Sequence, residues 1–339
     1  MNILIVGPSW VGDTVISQSM LKLLIQQNPA AQIDYLAPPW TLPLLARMPE
    51  VRRGINNPFG HGALRLGARH EFGKTLRDQV YDHALVLPNS WKSALIPWSA
   101  GIPLRTGFRG EARWGLLNDV RQLDAVALPQ MVQRFVALAM PAGATLPSPI
   151  QLPLPALQST VAQQQALLAR LRLNTDKPVV AFCPGAEYGP AKRWPEAHFA
   201  ALARLLAAHG CTVWLVGSPK DHAVAETIAQ GAVGACINLC GKTDIAEAAD
   251  LLAASRLVVT NDSGLMHVAA AVGRPVIALY GSSSPQFTPP LSADAHILTL
   301  GIECSPCFRR ECPLGHFKCL NDLSPERVFA AIDFARIVA

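Results

Sequence analysis

From Asn2 to Tyr280 the chain alternates short apolar runs rich in β-branched residues with longer segments of helical periodicity. Asn2–Gly7, Gln32–Ala37 and His83–Pro88 read as buried strands, with a helical pattern from about Asp13 to Gln27. The pattern restarts at Pro178–Cys183. Strands at Thr212–Val216, Ile237–Leu239, Leu257–Thr260 and Pro275–Tyr280 then alternate with helices near Glu196–Ala208, Asp221–Gln230, Ile245–Ala254 and Gly264–Val272. Apolar strands separated by amphipathic helices require parallel sheets covered on both faces, an α/β class. At 339 residues two domains are expected. The Pro-rich stretch Pro141–Pro155 divides them, giving domains at 1–155 and 156–322. One helix, Val161–Leu171, precedes the second sheet. A tail at 323–339 follows, whose helix after Ser324-Pro325 is expected to pack back toward the first domain. Two doubly wound sheets joined this way present a central cleft to the carboxyl ends of their strands, where ligands bind in open α/β sheets.

With 50% hydrophobic and 16% charged residues the chain has ample apolar surface to bury, which excludes disorder. A membrane span is excluded too. The longest uncharged stretch, Phe135–Ala169, is interrupted by Pro141, Pro147, Pro149, Pro153 and Pro155. The opening Met1–Gly7 has no basic flank and no small-residue cleavage site, so no signal peptide is read there. A cytoplasmic location is expected, and the eight cysteines are then thiols or metal ligands rather than disulfides. Residues 1–150 hold 14 Lys and Arg against 9 Asp and Glu, whereas residues 151–339 hold 15 of each. The formal charge of +5 therefore sits in the first half, which suits an anionic partner. Nucleic acid is not that partner, because no dense basic run with interleaved aromatics occurs.

Several strand-to-helix loops carry polar chemistry. Gly7-Pro8-Ser9-Trp10-Val11-Gly12-Asp13 has phosphate-loop spacing, but Asp13 stands where the loop's Lys belongs and would repel a phosphate. The dinucleotide fingerprint G-x-G-x-x-G is absent. Asp13 is either a helix N-cap or a carboxylate kept ionised by the helix dipole, able to take a proton from a hydroxyl. Pro184–Pro195, containing Gly185, Ala186, Glu187 and Lys192, is either an ordinary connection or a phosphate cradle with a cation. In Thr260–His267, Asp262 and Ser263 are either plain capping residues beside a satisfied buried His267 or an anion site at a helix start with Gly264. Gly217–Asp221, with Ser218 and Asp221, and Gly241–Asp244, with Lys242 and Thr243, end two more strands of that sheet. Four polar loops on one sheet edge describe a nucleotide pocket. No Asp-x-Asp pair exists to hold a metal-bound diphosphate, so Lys192 and helix N-termini must stabilise a diphosphate leaving group.

The segments Gly7–Asp13, Gly60-His61-Gly62-Ala63-Leu64, Leu87–Ala94, Gly107–Asn118, Phe182–Pro195, Thr260–His267 and Tyr280–Pro290 together resemble the ADP-heptose:lipopolysaccharide heptosyltransferases of Gram-negative bacteria, glycosyltransferase family 9. The resemblance covers residues 1 to about 300. It implies a GT-B fold, with the acceptor on the first domain and the ADP-sugar on the second. It also implies inverting transfer of L-glycero-D-manno-heptose from ADP-heptose to the first heptose of heptosyl-Kdo2-lipid A, at the cytoplasmic face of the inner membrane. Carried onto this sequence, Asp13 matches the proposed general base, Lys192 the cation beside the donor diphosphate, and Asp262, Ser263, Gly264 and His267 the donor loop. Gly12, Asn89 and Lys92 fall in matched segments on the acceptor side. Arg65, Arg69, Lys74 and Arg77, three to five residues apart, are expected to line one side of a helix or loop and hold acceptor phosphates and acidic sugars. No catalytic cofactor is implied. A nucleotide-sugar epimerase and a non-catalytic ADP-sugar-binding protein are the competing readings of the same fold.

The tail departs from the family pattern. Cys304, Cys307, Cys312 and Cys319 fall within sixteen residues, as either a structural zinc site or a set of reduced thiols, and nothing in the sequence ties them to catalysis.

Overall fold

The computed structural model describes residues 1–60, 62–144 and 151–338; His61, Pro147 and Pro149 of the stretches above lie outside the described residues. The chain divides into two compact units, Met1–Pro155 and Ala156–Ala339. In the first, β1 (Asn2–Val6), α1 (Val11–Gln27), β2 (Gln32–Ala37), α2 (Leu42–Leu45) and β3 (Val51–Asn56) form one wing. The other wing comprises α3 (Leu66–Lys74), β4 (His83–Val86), α4 (Trp91–Ser99), β5 (Leu104–Phe108), β6 (Asp119–Arg121) and α5 (Met131–Ala139). The strands pair in parallel in the order β3-β2-β1-β4-β5-β6.

The second unit begins with α6 (Val161–Leu171), then β7 (Val179–Cys183), α7 (Glu196–Ala208), β8 (Thr212–Leu215), α8 (His222–Gly231) and β9 (Cys236–Asn238). It continues with α9 (Ile245–Ala254), β10 (Leu257–Asn261), α10 (Gly264–Ala271), β11 (Val276–Leu279) and β12 (Ala295–Leu298). Three short helices, α11 (Lys318–Asn321), α12 (Pro325–Ala330) and α13 (Phe334–Val338), end it. Its parallel sheet has the order β12-β11-β10-β7-β8-β9. Both sheets reverse strand order next to their first strand, between β1 and β4 and between β7 and β10. The loops leaving β1, β7 and β10 therefore stand at switch points, where a crevice opens.

The central strands are sealed. Ile3, Leu4 and Ile5 of β1 and Val180, Ala181 and Phe182 of β7 are wholly buried. Gly7 is required where β1 ends, since a Cβ there would stand 2.1 Å from the Tyr35 ring. The edge strands β3 and β12 are mostly exposed. Strands β3, β5 and β6 carry charged residues that hid them from an apolar-run reading.

One buried carboxylate anchors the first sheet's edge. Asp34 on β2 is fully buried and accepts from Arg52 Nε at 2.8 Å, Arg53 at 2.9 Å and the Tyr81 hydroxyl at 2.5 Å. Burial works to raise its pKa, but the Arg52 and Tyr81 hydrogen bonds and the two arginine charges outweigh it, so the carboxyl lies below its ordinary value. Asp34→Ala leaves these partners without their acceptor, and chemical denaturation should show a loss of about 3–5 kcal/mol. A loss under about 1 kcal/mol would show the network to be dispensable.

The tail corrects an expectation. Residues 323–338 form two short helices rather than one, and their apolar residues pack into the second unit's core. Leu323, Val328, Ile332 and Ile337 are buried in that core with α7 residues, and Trp194 Nε1 donates to Leu323 O at 2.8 Å. Phe329 and Phe334 stack beside His209 at the end of α7. Apolar residues spread over both short helices make this face the one they bury.

Candidate active site

In the first unit the β1–α1 loop tests the N-cap reading of Asp13. The N-cap of α1 is Trp10, which makes no side-chain cap, and Asp13 sits in the helix's first turn. Asp13 is therefore not the N-cap. Its half-buried carboxylate lies where the helix dipole favours negative charge. It also acts on Tyr35: burial drives that phenol's pKa well up, and the Asp13 charge adds to the rise. Gly12 beside it is buried.

The four cations after Gly62 do not share one face. Arg65 is exposed and holds the left-handed N-cap of α3, with φ of 38°. Arg69 is turned inward, 3% exposed, donating to Leu64 O at 2.8 Å and Ala63 O at 3.0 Å over the Phe59 ring. Those carbonyls belong to the turn entering α3, so Arg69 ties that turn down and is not available to a ligand. Lys74 pairs with Glu71 at 2.8 Å, and Arg77 lies beyond the helix end with its Nε on Ser99 O. On the loop after β4, Asn89 is exposed and accepts from Arg113, while Lys92 is half-buried in the first turn of α4.

The second unit brings the donor candidates together. Lys192, on the loop after β7, donates from Nζ to Asp262 Oδ2 at 2.6 Å; their side chains are 18% and 5% exposed. Asn261, which the sequence reading passed over, joins the two loops. Its Oδ1 accepts from Trp194 N at 3.0 Å and its Nδ2 donates to Pro184 O at 2.7 Å. Its place between the singled-out Thr260 and Asp262 was the only signal for it. Ser263 is the N-cap of α10 as expected, but its side chain makes no cap bond, so it does not satisfy the helix's first N–H groups.

Loops around this pair are set by close approach. Asp221 accepts from Ser218 N at 2.9 Å and Oγ at 2.7 Å, and a Cβ on Gly185 would collide with its carboxylate at 2.4 Å. Ser218 and Asp221 thus shape the pocket edge. Ala186 is buried, and Glu187 pairs with Lys220 at 2.5 Å. Lys242 is exposed, and the buried Thr243 Oγ1 has no partner among the described residues.

His267, 6% exposed, completes the cluster, and its Nδ1 finds no partner among the described residues. Burial pushes its pKa down to about 4; Asp262 raises it and Lys192 lowers it. A depressed histidine favours the neutral form in the folded state. Its stabilising contribution is complete above the unfolded value near 6.5 and is lost as pH falls from there through about 4. His267→Gln should flatten that limb of a pH–stability curve, removing an acid-side slope worth about 3 kcal/mol. An unchanged curve would place the titration elsewhere.

The tail cysteines lie near one another, and the charges of Cys304, Cys307 and Cys312 act on Cys319. Among the described residues no three His, Cys, Asp or Glu are arranged to hold a metal ion. All four tail cysteines are free thiols, and Cys312 Sγ accepts from Phe317 N at 3.4 Å, which holds its pKa below the ordinary thiol value. The cysteine-bearing loop does, however, reach the site: Arg310 O accepts from Ala191 N at 3.0 Å.

The comparisons agree with this architecture. The family model described as glycosyltransferase family 9 (heptosyltransferase) matches residues 69–318. Lipopolysaccharide heptosyltransferase 2 of Escherichia coli K12 is 48% identical, covering 98% of each chain. Lipooligosaccharide heptosyltransferase 2 of Haemophilus ducreyi is 50% identical over 97% of each. The solved structure of E. coli ADP-heptose LPS heptosyltransferase II superposes with a TM-score of 0.87, at 46% identity over 97% of both chains. The two six-stranded parallel sheets are those of a GT-B enzyme. The chain is a glycosyltransferase and belongs to glycosyltransferase family 9, the heptosyltransferases.

Proposed function

We propose that this enzyme transfers L-glycero-D-manno-heptose from ADP-heptose to the first heptose of heptosyl-Kdo2-lipid A, with inversion at the anomeric carbon. The observation that carries the donor half is the Lys192–Asp262 pair at a switch point, beside His267 and the start of α10. The relatives' names, which specify heptosyltransferase 2 and ADP-heptose, support the substrate class and favour transfer over epimerisation or mere binding.

In this reading Asp13 takes the proton of the attacking hydroxyl, and the second unit's loops hold the ADP that departs. Negative charge grows on the diphosphate as the glycosidic bond breaks, so a cation fixed there binds the transition state more tightly than the ground state. Arg65, Lys92 and Asn89 remain candidates for the anionic acceptor, and Arg69 is withdrawn. Neutralising Arg65 and Lys92 together should raise the acceptor KM, more steeply at low salt, without altering donor affinity. An unchanged acceptor KM in steady-state kinetics would move the acceptor site elsewhere.

No helix among the described residues is long and apolar enough to cross a membrane. Access to a lipid-linked acceptor is proposed to be peripheral, at the cytoplasmic face of the inner membrane. The first unit exposes Leu66, Trp98 and Trp114 on the half that carries the basic excess, which supports this contact. Catalysis is proposed to need no metal, since the sequence lacks an Asp-x-Asp clamp and Lys192 supplies a charge. Turnover should survive EDTA; complete inhibition reversed by added divalent metal would overturn this.

A further inference from the structure

The cations around the donor loops are not equally available. Lys192 is committed to Asp262 at 2.6 Å, and Lys220 to Glu187 at 2.5 Å. Each of these pairs is nearly neutral as it stands. The departing group in the proposed reaction carries a diphosphate, so its charge needs a cation that is not already balanced.

Arg310, on the loop between β12 and α11, is such a cation. Its side chain is exposed and has no acidic partner among the described residues. Its position is nonetheless fixed by its backbone. Arg310 O accepts from Ala191 N, one residue before Lys192, and a Cβ on Gly189 would meet the same carbonyl at 2.5 Å. Gly189, with φ of 156°, is the residue that permits this approach. Two residues earlier, Phe308 O accepts from the Tyr188 hydroxyl at 2.9 Å. The Tyr188 ring then gathers both charges, with Lys192 Nζ and Arg310 Cζ each 5.2 Å from its centroid. Distances under about 6 Å are favourable for a cation beside an aromatic face. The loop itself is tied to the sheet end by Ser305 Oγ donating to Gly281 O at 2.6 Å and by the Phe308 N bond to Ser282 O at 2.6 Å.

We propose that Arg310 is a second diphosphate-binding cation for the donor, held beside Lys192 by the shared Tyr188 ring and by its own carbonyl on Ala191. This rests on the reading of the second unit as the ADP-sugar site. A guanidinium suits the task, because its planar fork engages two phosphate oxygens at once, whereas Lys192 offers a point charge. It also gives the cysteine-bearing loop a place in the donor site, a link that the cysteine spacing alone did not reveal.

The test is calorimetric titration of the full chain with ADP and, separately, with adenosine. Arg310→Ala keeps the backbone carbonyl and removes only the side chain. It should weaken ADP about tenfold while leaving adenosine unchanged, and the loss should shrink at high salt. Arg310→Lys should recover part of the affinity, and Arg309→Ala, its exposed neighbour, should match the wild type. ADP affinity unchanged in Arg310→Ala overturns the proposal while leaving the donor site standing. An equal loss for ADP and adenosine also overturns it, since that would report loop damage rather than lost charge. Failure of the wild-type chain to bind ADP would overturn the donor-site reading itself.

Discussion

Asp13→Asn is expected to bind ADP as the wild type does and to lose about 10²–10⁴ in transfer rate. The substitution keeps shape and removes the proton acceptor, and a positioned general base contributes that much. Trp10 and not Asp13 occupies the N-cap, so the substitution removes no cap, and the first-turn dipole contribution it removes is about 0.3–1 kcal/mol. Single-turnover kinetics beside ADP titration separates the two effects. Near-wild-type turnover would remove Asp13 from the chemistry.

Lys192→Ala should have the other large effect, and it acts twice. It removes a cation from the donor diphosphate and leaves Asp262, 5% exposed, as an unpaired buried carboxylate. Breaking such a pair from one side costs about 3–5 kcal/mol, while replacing both partners is often nearly neutral. The double variant Lys192→Ala with Asp262→Asn should therefore melt near the wild type yet still bind ADP-heptose weakly and turn over slowly. Recovery of activity together with stability would show Lys192 to be only a structural counter-charge. The single variant should also move His267, whose depressed pKa rises when the lysine charge goes and the Asp262 charge stays.

The parts of this enzyme that were legible in sequence are those where one physical requirement dominates. Buried strands such as Val179–Cys183 must be apolar on both faces, so they announced themselves and, with their helices, the two doubly wound sheets. Loops leaving those strands were legible for the same reason, and Lys192, Asp262 and His267 did converge. Strands β3 and β5 were not legible, because Arg52, Arg53 and Arg105 sit within them and make their bonds sideways to Asp34, Ile102 and Leu116. Arg69 shows the limit for charges. Spacing along a chain cannot tell a solvated arginine from one whose donors are spent on nearby carbonyls. The tail reads as one helix in sequence, and its packing as two short helices on α7 depends on which surface offers an apolar groove, which is a tertiary property. Arg310 lies 118 residues from Lys192 in sequence, and only the backbone contact at Gly189 and Ala191 makes them neighbours.

The central claim is tested most directly by incubating the chain with ADP-heptose and heptosyl-Kdo2-lipid A and following ADP release, lipid product and anomeric configuration by NMR. One ADP released per heptose added to the acceptor, with inverted configuration and no release when acceptor is omitted, is the predicted result. Recovery of an epimerised nucleotide sugar, or a product that retains the donor's configuration, would contradict it.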